Sequence, residues 1–226
     1  RWEHPEKGMI SPCLFIPIAE RIGLMGAVGD WVLRSACGQA ANWSSEGLVE
    51  PRMSVNVSAA QLREPGWLDS VRTALLDSGL APEYLDLEIT ESDLSEDNGV
   101  LAEVLREART LGIGICIDDF GVGQSSLSRF RDFPVTGLKI DGSFVRDVEH
   151  SPRDRALLQS IIDMARAQSV HVTAEWVETE AQMKVLHNAG CDFAQGYAFG
   201  PPLLPDKFRE FAAQRASSTQ RGRRAA

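Results

Sequence analysis

Strand-like runs alternate with helix-length segments along this chain, and no other feature of the sequence limits the fold as strongly. Helix-capping signals mark the segments between the runs: Ser151 precedes Pro152, and Thr179 opens a capping box with Gln182. The predicted strands cover residues 53–58, 85–90, 113–118, 137–141, 170–175 and 193–197. This order predicts a mostly parallel sheet, either open or closed into a barrel.

Each of the first five predicted strands has an aliphatic face and a polar face. In residues 85–90 the sequence LDLEIT puts leucine and isoleucine on one face, and Asp86, Glu88 and Thr90 on the other. Parallel strands covered by helices on both faces normally read as continuous apolar runs instead. A barrel explains the pattern, because polar side chains would line its interior and collect at the carboxyl-end mouth, where such barrels keep their active sites. A doubly wound open sheet also binds ligands at the carboxyl ends of its strands and stays as the alternative.

The polar faces end in side chains that bind metal or phosphate. Those expected at one rim are Asn56, Glu88, Asp118, Asp119, Glu175 and Gln195. Such hard oxygen donors suit Mg²⁺ or Mn²⁺ rather than zinc or copper. The adjacent carboxylates of Asp118 and Asp119 repel each other unless a cation lies beside them, and such a pair can serve two metals at once. Lys139 adds a positive charge for a phosphate or a metal-bound hydroxide.

Composition excludes several classes of function. The chain has 226 residues, 43% of them hydrophobic, which is enough for one sizeable α/β domain. Its net charge of −9 argues against DNA, RNA and anionic membranes as partners of this segment. No apolar run is long enough to span a bilayer. The four cysteines form no C-x-x-C motif and the four histidines no H-E-x-x-H motif, so a zinc hydrolase is not expected.

Seven motifs extend over nearly the whole chain and carry a resemblance to a known family. They are RWEHPEKGMISPCLFIPIAE, SVNVSAAQL, LDLEITES, ICIDDFGVGQSSLSRF, FPVTGLKIDGSFV, AEWVET and GCDFAQGYAFGPPL. In this order and spacing they resemble the EAL domain, the family that hydrolyses the bacterial messenger cyclic di-GMP. The resemblance implies a (β/α)₈ TIM-barrel-like fold with one antiparallel strand. It also implies two divalent cations, Mg²⁺ or Mn²⁺, and cleavage of one phosphodiester bond to give linear pGpG.

The resemblance also implies roles for single residues. Four positions look like ligands of the first metal: Asn56, Glu88, Asp118 and Glu175. Asp119 looks like the additional ligand that builds the second metal site. Lys139 matches the lysine that positions the attacking water, and Gln195 matches a glutamine near the metals and the substrate. Glu91 resembles the acid that braces the loop after the aspartates, and Arg1 lies where the family contacts a substrate phosphate. Glu175 and these first three residues form the expected catalytic set.

The family's name motif, E-A-L-x-R-W, survives here only as Arg1 and Trp2. Its glutamate, a metal ligand, and two of the eight barrel strands are therefore expected upstream. We expect an EAL-type barrel domain over residues 1–214, incomplete at its N-terminus, and a disordered basic tail over residues 215–226. The expected partners are cyclic di-GMP, a second copy of the chain in a homodimer, and an upstream sensory or GGDEF-type domain. The expected location is the cytoplasm, for a free protein or for the cytoplasmic part of a membrane-anchored one.

Several positions depart from the family pattern. Trp176 replaces a glycine directly after Glu175, where glycine indicates a close backbone approach or an unusual backbone angle. Val122 and Gln124 replace a threonine and a tyrosine in the aspartate loop, and Pro201 replaces a basic residue. The alternative function is therefore a catalytically impaired EAL domain that acts as a cyclic di-GMP receptor or a protein-interaction module. The retained metal-binding set favours the enzyme, whereas Trp176 and the altered loop favour the receptor.

Overall fold

A computed structural model describes residues 2–48, 52–95, 99–122 and 132–224 of the chain. Its main sheet contains six parallel strands that pair in chain order and curl as half of a barrel. An antiparallel hairpin, β1 and β2, precedes that sheet. Within the described residues the strands are β1 Trp2–His4, β2 Gly8–Ile10, β3 Met53–Asn56, β4 Leu85–Thr90, β5 Gly114–Phe120, β6 Gly137–Ile140, β7 His171–Ala174 and β8 Phe193–Ala194.

Helices connect β3 to β4, β4 to β5, β6 to β7 and β7 to β8. Residues 123–131, between β5 and β6, lie outside the described residues. In the described residues the α-helices are α1 Pro12–Arg21, α2 Met25–Ser45, α3 Ala59–Leu62, α4 Trp67–Ser78, α5 Glu91–Ser95, α6 Val100–Thr110, α7 Pro152–Ala167, α8 Glu180–Ala189 and α9 Pro205–Arg224. Two 3₁₀ turns lie at Pro82–Tyr84 and Gly142–Phe144. Within the part of the chain that the structure describes, no helix combines the length and the apolar character needed to cross a membrane.

Local sequence signals explain where the helices begin and end. The Ser151 hydroxyl accepts a hydrogen bond from the Asp154 amide at 3.2 Å at the start of α7. The Thr179 hydroxyl accepts from the Gln182 amide at 3.0 Å, which is half of the predicted capping box of α8. That helix stops at Gly190, whose φ of 79° glycine adopts without steric cost. These predicted caps are confirmed.

The aliphatic strand faces pack between the sheet and the helices, as the alternation predicts. Leu85, Leu87 and Ile89 of β4 are fully buried, and the corresponding residues of β5 and β6 join them in one hydrophobic core. Burial of a side chain of this size contributes about 1.5–3 kcal/mol. The predicted fold class is therefore confirmed. The sequence analysis did not predict the hairpin of β1 and β2, because it relied on the alternation seen in the later strands. The antiparallel pairing within the described residues is confined to that hairpin.

Polar side chains lie at the amino-terminal end of the curled sheet. Glycines on the adjacent strands leave the space that these side chains occupy. The buried Asp86 carboxylate pairs with the Arg52 guanidinium, with Nε to Oδ2 and Nη2 to Oδ1 both at 3.1 Å. On the adjacent strands, Gly114 makes room for Asp86 and Gly137 makes room for His171, because an added Cβ would lie 1.7 Å and 2.6 Å from their side chains. This layer leaves the opposite, carboxyl-terminal end of the sheet for the site.

His171 makes folding sensitive to acid. Partial burial and the nearby Arg52 charge hold the pKa of His171 below its ordinary value of 6.5, although Asp86 and Asp192 oppose the shift. The unfolded chain binds a proton that the folded state resists, so the free energy of unfolding falls as the pH drops below about 6.5. We expect His171→Gln to reduce this pH dependence in urea titrations, and His150→Gln, on the surface, to leave it unchanged. Equal pH slopes in all three proteins would contradict this assignment.

The last helix crosses the predicted domain boundary. Helix α9 continues from Pro205 to Arg224, past residue 214, where a disordered tail is expected to begin. The division into a barrel domain over residues 1–214 and a tail over residues 215–226 remains a prediction.

Candidate active site

The carboxyl ends of neighbouring strands bring the predicted polar residues to one rim. Asn56 at the end of β3 pairs in register with Glu88 of β4, and Thr90 pairs with Asp118 of β5. Glu175 follows β7, where its amide donates to the Ile140 carbonyl of β6 at 3.1 Å. Gln195 directly follows β8, and its backbone amide donates a hydrogen bond to the Ala174 carbonyl of β7 at 2.8 Å. Parallel pairing thus supplies the shared edge that the sequence pattern predicts.

Lys139 is the centre of this rim. Its Nζ lies 3.0 Å from Glu88 Oε2, 2.9 Å from Asp118 Oδ1 and 2.7 Å from Glu175 Oε1. Lys139, Glu88 and Glu175 are all buried. Three strands and the residue after a fourth therefore hold one ammonium and three carboxylates around a common point.

Asp118 and Asp119 face the same site although adjacent residues of a regular strand point to opposite faces. The pairing of β5 with β6 shifts register between Ile117 and Phe120, and Asp119 adopts a left-handed φ of 53°. Its amide donates to Asp118 Oδ1 at 3.1 Å. Such irregularities re-aim side chains next to active sites. One ligand oxygen from each of Asp118, Asp119 and Glu175 consequently lies within 4.8 Å of the others.

The charges of the rim favour an added cation. Burial raises the pKa of Glu175, with Lys139 opposing, and burial together with Asp118 raises the pKa of Asp119. Burial would lower the pKa of Lys139, but Glu88, Glu175 and Asp118 raise it well above its ordinary value, so the ammonium keeps its proton. The carboxylates of Glu88, Asp118 and Glu175 contact this ammonium, and Asp119 adds a fourth negative charge beside Asp118. The closely spaced oxygen donors of Asp118, Asp119 and Glu175 fit a hard divalent cation.

Two further residues hold the acidic cluster in place. The Gln195 side-chain amide donates to Glu175 Oε1 at 2.5 Å, on the same oxygen that Lys139 contacts. Glu91, buried at the start of α5, accepts a hydrogen bond from the Gly121 amide at 2.7 Å. Gly121 follows the aspartate pair, so this contact fixes the backbone that leaves the site.

For the remaining predicted site residues, the structure gives no side-chain contact with the acidic cluster within the described residues. Asn56 lies beside Glu88 in the sheet, and its side chain is exposed. Arg1 and Gln124 lie outside the described residues. Val122, which replaces the family's threonine, is exposed on the loop after β5. The roles assigned to all these positions remain predictions.

Asp141 belongs to the site region, although the site residues expected from the sequence do not include it. Its carboxylate accepts from the Ser143 amide at 2.9 Å and caps the 3₁₀ turn, and that hydrogen bond lowers its pKa although burial acts in the opposite direction. Asp141 also adds to the negative charge that acts on Asp119. Its position on the polar face of the predicted strand 137–141, two residues after Lys139, was the signal in the sequence.

The backbone at Trp176 has the unusual angle that the family's glycine indicates. Its φ is 57°, in the left-handed region, and the indole is 64% exposed beside the acidic cluster. Two cavities adjoin it. One, of about 380 Å³, has a mixed polar and apolar lining, and the other, of about 760 Å³, is mostly apolar and includes Gln195 in its wall.

This fold and this rim define an α/β-barrel-type protein with a candidate divalent-cation site at the carboxyl ends of its strands. The chain belongs to the EAL domain family, whose model matches residues 1–202. The family and the fold expected from the motifs are therefore confirmed.

Individual relatives agree with this membership. The chain is 41% identical over 203 residues to the bifunctional diguanylate cyclase/cyclic di-GMP phosphodiesterase MucR of Pseudomonas aeruginosa, covering 90% of this chain and 30% of MucR. It is 37% identical over 211 residues to the cyclic di-GMP phosphodiesterase PA2567 of the same species, covering 93% and 36%. The solved PaMucR phosphodiesterase, a c-di-GMP complex, superposes with a TM-score of 0.86 at 40% identity, covering 92% of this chain and 84% of that one. The chain spans about a third of the length of the curated relatives it matches.

Proposed function

We propose that this chain hydrolyses cyclic di-GMP to linear pGpG in bacterial second-messenger signalling. The observation that carries the proposal is the Lys139 ammonium, within 3.0 Å of the Glu88, Asp118 and Glu175 carboxylates at the carboxyl-end rim. An acidic rim of this kind repels a phosphodiester unless cations neutralise it. Relatives at 41% and 37% identity are named cyclic di-GMP phosphodiesterases, and this supports the substrate.

Two divalent cations, Mg²⁺ or Mn²⁺, complete the proposed site. Their proposed ligands are Asn56, Glu88, Asp118, Asp119 and Glu175. When bound, such ions supply Lewis acidity and lower the pKa of a coordinated water. Oxygens of three of these ligands, Asp118, Asp119 and Glu175, lie within 4.8 Å of one another, and this supports the assignment.

The protein's own groups then orient the reactants. Lys139 contributes a fixed positive charge that stabilises negative charge as the phosphorus–oxygen bond to the ribose 3′-oxygen breaks and the water oxygen bonds to phosphorus. Gln195 holds the Glu175 carboxylate through its 2.5 Å hydrogen bond. Arg1 is the proposed contact for a substrate phosphate. The reaction consumes one water and leaves a 5′-phosphate and a 3′-hydroxyl.

The decisive experiment measures pGpG formation by chromatography with the protein at its full natural length. We expect turnover with Mg²⁺ or Mn²⁺, loss of turnover with a chelator, and recovery when either ion is added back in excess. Binding of cyclic di-GMP without pGpG would assign the receptor function instead. The observation that favours this second candidate is the indole of Trp176 at the rim, where the family has glycine.

Glu91 provides a separate test of how the site is held. Replacing Glu91 by alanine removes the acceptor of the Gly121 amide, which is 2.7 Å away. Because Gly121 follows Asp119 closely, we expect turnover to fall on the order of 10²-fold from misplacement of the aspartate loop. Glu91→Gln keeps an oxygen acceptor and should lose less. Glu103→Ala, on the exposed face of α6, is the matched control, and wild-type turnover in Glu91→Ala would refute this bracing role.

The assembly and location of the protein also remain proposals. We propose a homodimer, which light scattering on the purified protein would test, and an upstream sensory or GGDEF-type domain. The relative MucR is a bifunctional protein that is also named a diguanylate cyclase, and this supports the second proposal. A cytoplasmic location follows from a cytoplasmic messenger and is testable by cell fractionation.

A further inference from the structure

Trp176 presents an aromatic surface at the rim that the proposed reaction does not use. The residue before it, Glu175, contacts Lys139 at 2.7 Å, while the indole itself is 64% exposed. We propose that this indole is a stacking surface for one guanine base of the substrate, and that Trp176 thereby determines substrate affinity. The inference rests on the proposed function and deepens it, because it names a contact for the base rather than for the phosphate.

The backbone indicates that this placement is specific. Trp176 has a φ of 57°, which residues with a Cβ atom rarely adopt and which glycine adopts freely. A tryptophan here keeps a conformational strain that a glycine would remove. Strain of this kind clusters at active sites and ligand clamps, where the side chain is used.

A glycine on the neighbouring strand connection seats the indole. A Cβ added at Gly142 would lie 2.6 Å from Cγ and 2.7 Å from Cβ of Trp176. The tryptophan side chain therefore packs directly against Gly142, and any larger residue at that position would clash with it. Gly142 is buried in the 3₁₀ turn that Asp141 caps. One side of the tryptophan is therefore supported by a fixed turn, and the rest of its surface is open.

The two cavities beside the indole suit a base attached to a phosphate at the acidic cluster. Their volumes of about 380 and 760 Å³ are of the size that small ligands occupy. The smaller cavity is lined by the polar residues Asp141, Ser143, Arg146 and Glu178. A guanine that lies on the indole would turn its polar edge toward these groups, and arginine is the side chain that best matches its O6 and N7 acceptors.

The test compares Trp176→Phe with Trp176→Leu in steady-state hydrolysis of cyclic di-GMP. Both variants keep a Cβ atom at the strained position, so the backbone cost is matched and only the aromatic face differs. We expect Trp176→Leu to raise KM about tenfold, within the range of base–aromatic stacking, and to change kcat less than about threefold. Trp176→Phe should keep KM within about threefold of the wild type, because a phenyl ring still stacks.

Two further variants separate stacking from general packing. Gly142→Ala should raise KM in the wild-type protein because its Cβ displaces the indole, but it should have no further effect in Trp176→Gly, where no side chain is present to displace. Trp31→Leu is the control for loss of an exposed tryptophan, since Trp31 is 67% exposed on α2. Thermal unfolding of every variant verifies that it is folded.

The outcomes are distinguishable. If Trp176→Leu keeps the wild-type KM, or if Trp176→Gly lowers it, the stacking role is wrong while the proposed function stands. If the wild type binds cyclic di-GMP without turnover, the same comparison is made on Kd by calorimetry, with the same expected ratios. If the wild type neither binds nor hydrolyses it, the proposed function is wrong and this inference falls with it.

Discussion

Replacing Lys139 by methionine is expected to lower the free energy of unfolding of the metal-free protein by about 3–5 kcal/mol, because it leaves buried carboxylates without their partner. The ammonium lies within 3.0 Å of Glu88, Asp118 and Glu175, and Lys139, Glu88 and Glu175 are buried. Methionine keeps most of the length of the lysine side chain and fills its volume. The loss therefore comes from the missing charge rather than from a cavity.

The same variant should lower turnover of cyclic di-GMP on the order of 10²–10³-fold, the range for loss of one charge-stabilising group in an active site. Adding Mg²⁺ or Mn²⁺ should recover part of the lost stability, because a bound cation supplies positive charge to the same carboxylates. Urea titrations with and without metal measure the first effect, and pGpG formation measures the second.

Lys207→Met is the matched control for Lys139→Met. Lys207 pairs with Glu210 at 2.9 Å, but its side chain is 66% exposed, so its ion pair is screened by water and contributes at most about 1 kcal/mol. We expect no change in turnover from this variant. If Lys139→Met were as stable as the wild type without metal, the lysine would not be the partner that these carboxylates require.

The strand pattern was sufficient to predict the fold and the rim. Alternation over residues 85–90 gives both the buried face of β4 and the inward direction of Glu88, because side chains alternate strictly along a regular strand. The parallel order of the strands then places Glu88, Asp118 and Glu175 at one edge. Because the direction of side chains along a regular strand depends only on local sequence order, a single sequence is enough to predict it.

The details that complete the site are not encoded by alternation. A regular strand would direct Asp119 away from Asp118. The pairing of β5 with β6 shifts register at this point, and the alternation of residues along β5 gives no signal of that shift. The centre of the cluster, Lys139, was expected as a positive charge, but its three simultaneous contacts depend on side-chain lengths across three strands. The hairpin at Trp2–His4 and Gly8–Ile10 was missed because strands of three residues carry too little periodicity.

Glycines in the sheet have a role that composition alone does not reveal. Gly114 of β5 pairs in register with Asp86 of β4, and a Cβ at Gly114 would lie 1.7 Å from Asp86 Oδ1. The carboxylate occupies the space that a side chain at Gly114 would fill, and it uses that position to pair with Arg52 at 3.1 Å. Asp86 is buried, whereas the Arg52 side chain is 45% exposed. If an added side chain displaced the Asp86 carboxylate, that carboxylate would stay inside the protein without the Arg52 guanidinium as its partner.

Gly114→Ala is therefore expected to lower the free energy of unfolding by about 1–3 kcal/mol, the cost of displacing the buried Asp86 carboxylate from its half-exposed partner, measured by urea titration. Gly38→Ala is the matched substitution in α2, where nothing lies within 4 Å of the added Cβ, and it should raise the free energy of unfolding by about 0.5–1 kcal/mol. In an Asp86→Ala background the same Gly114→Ala change should cost much less, because the carboxylate it displaces is gone. A Gly114→Ala protein as stable as the wild type would mean that Asp86 leaves its place without loss, and the polar layer at this end of the sheet would not be a stabilising element.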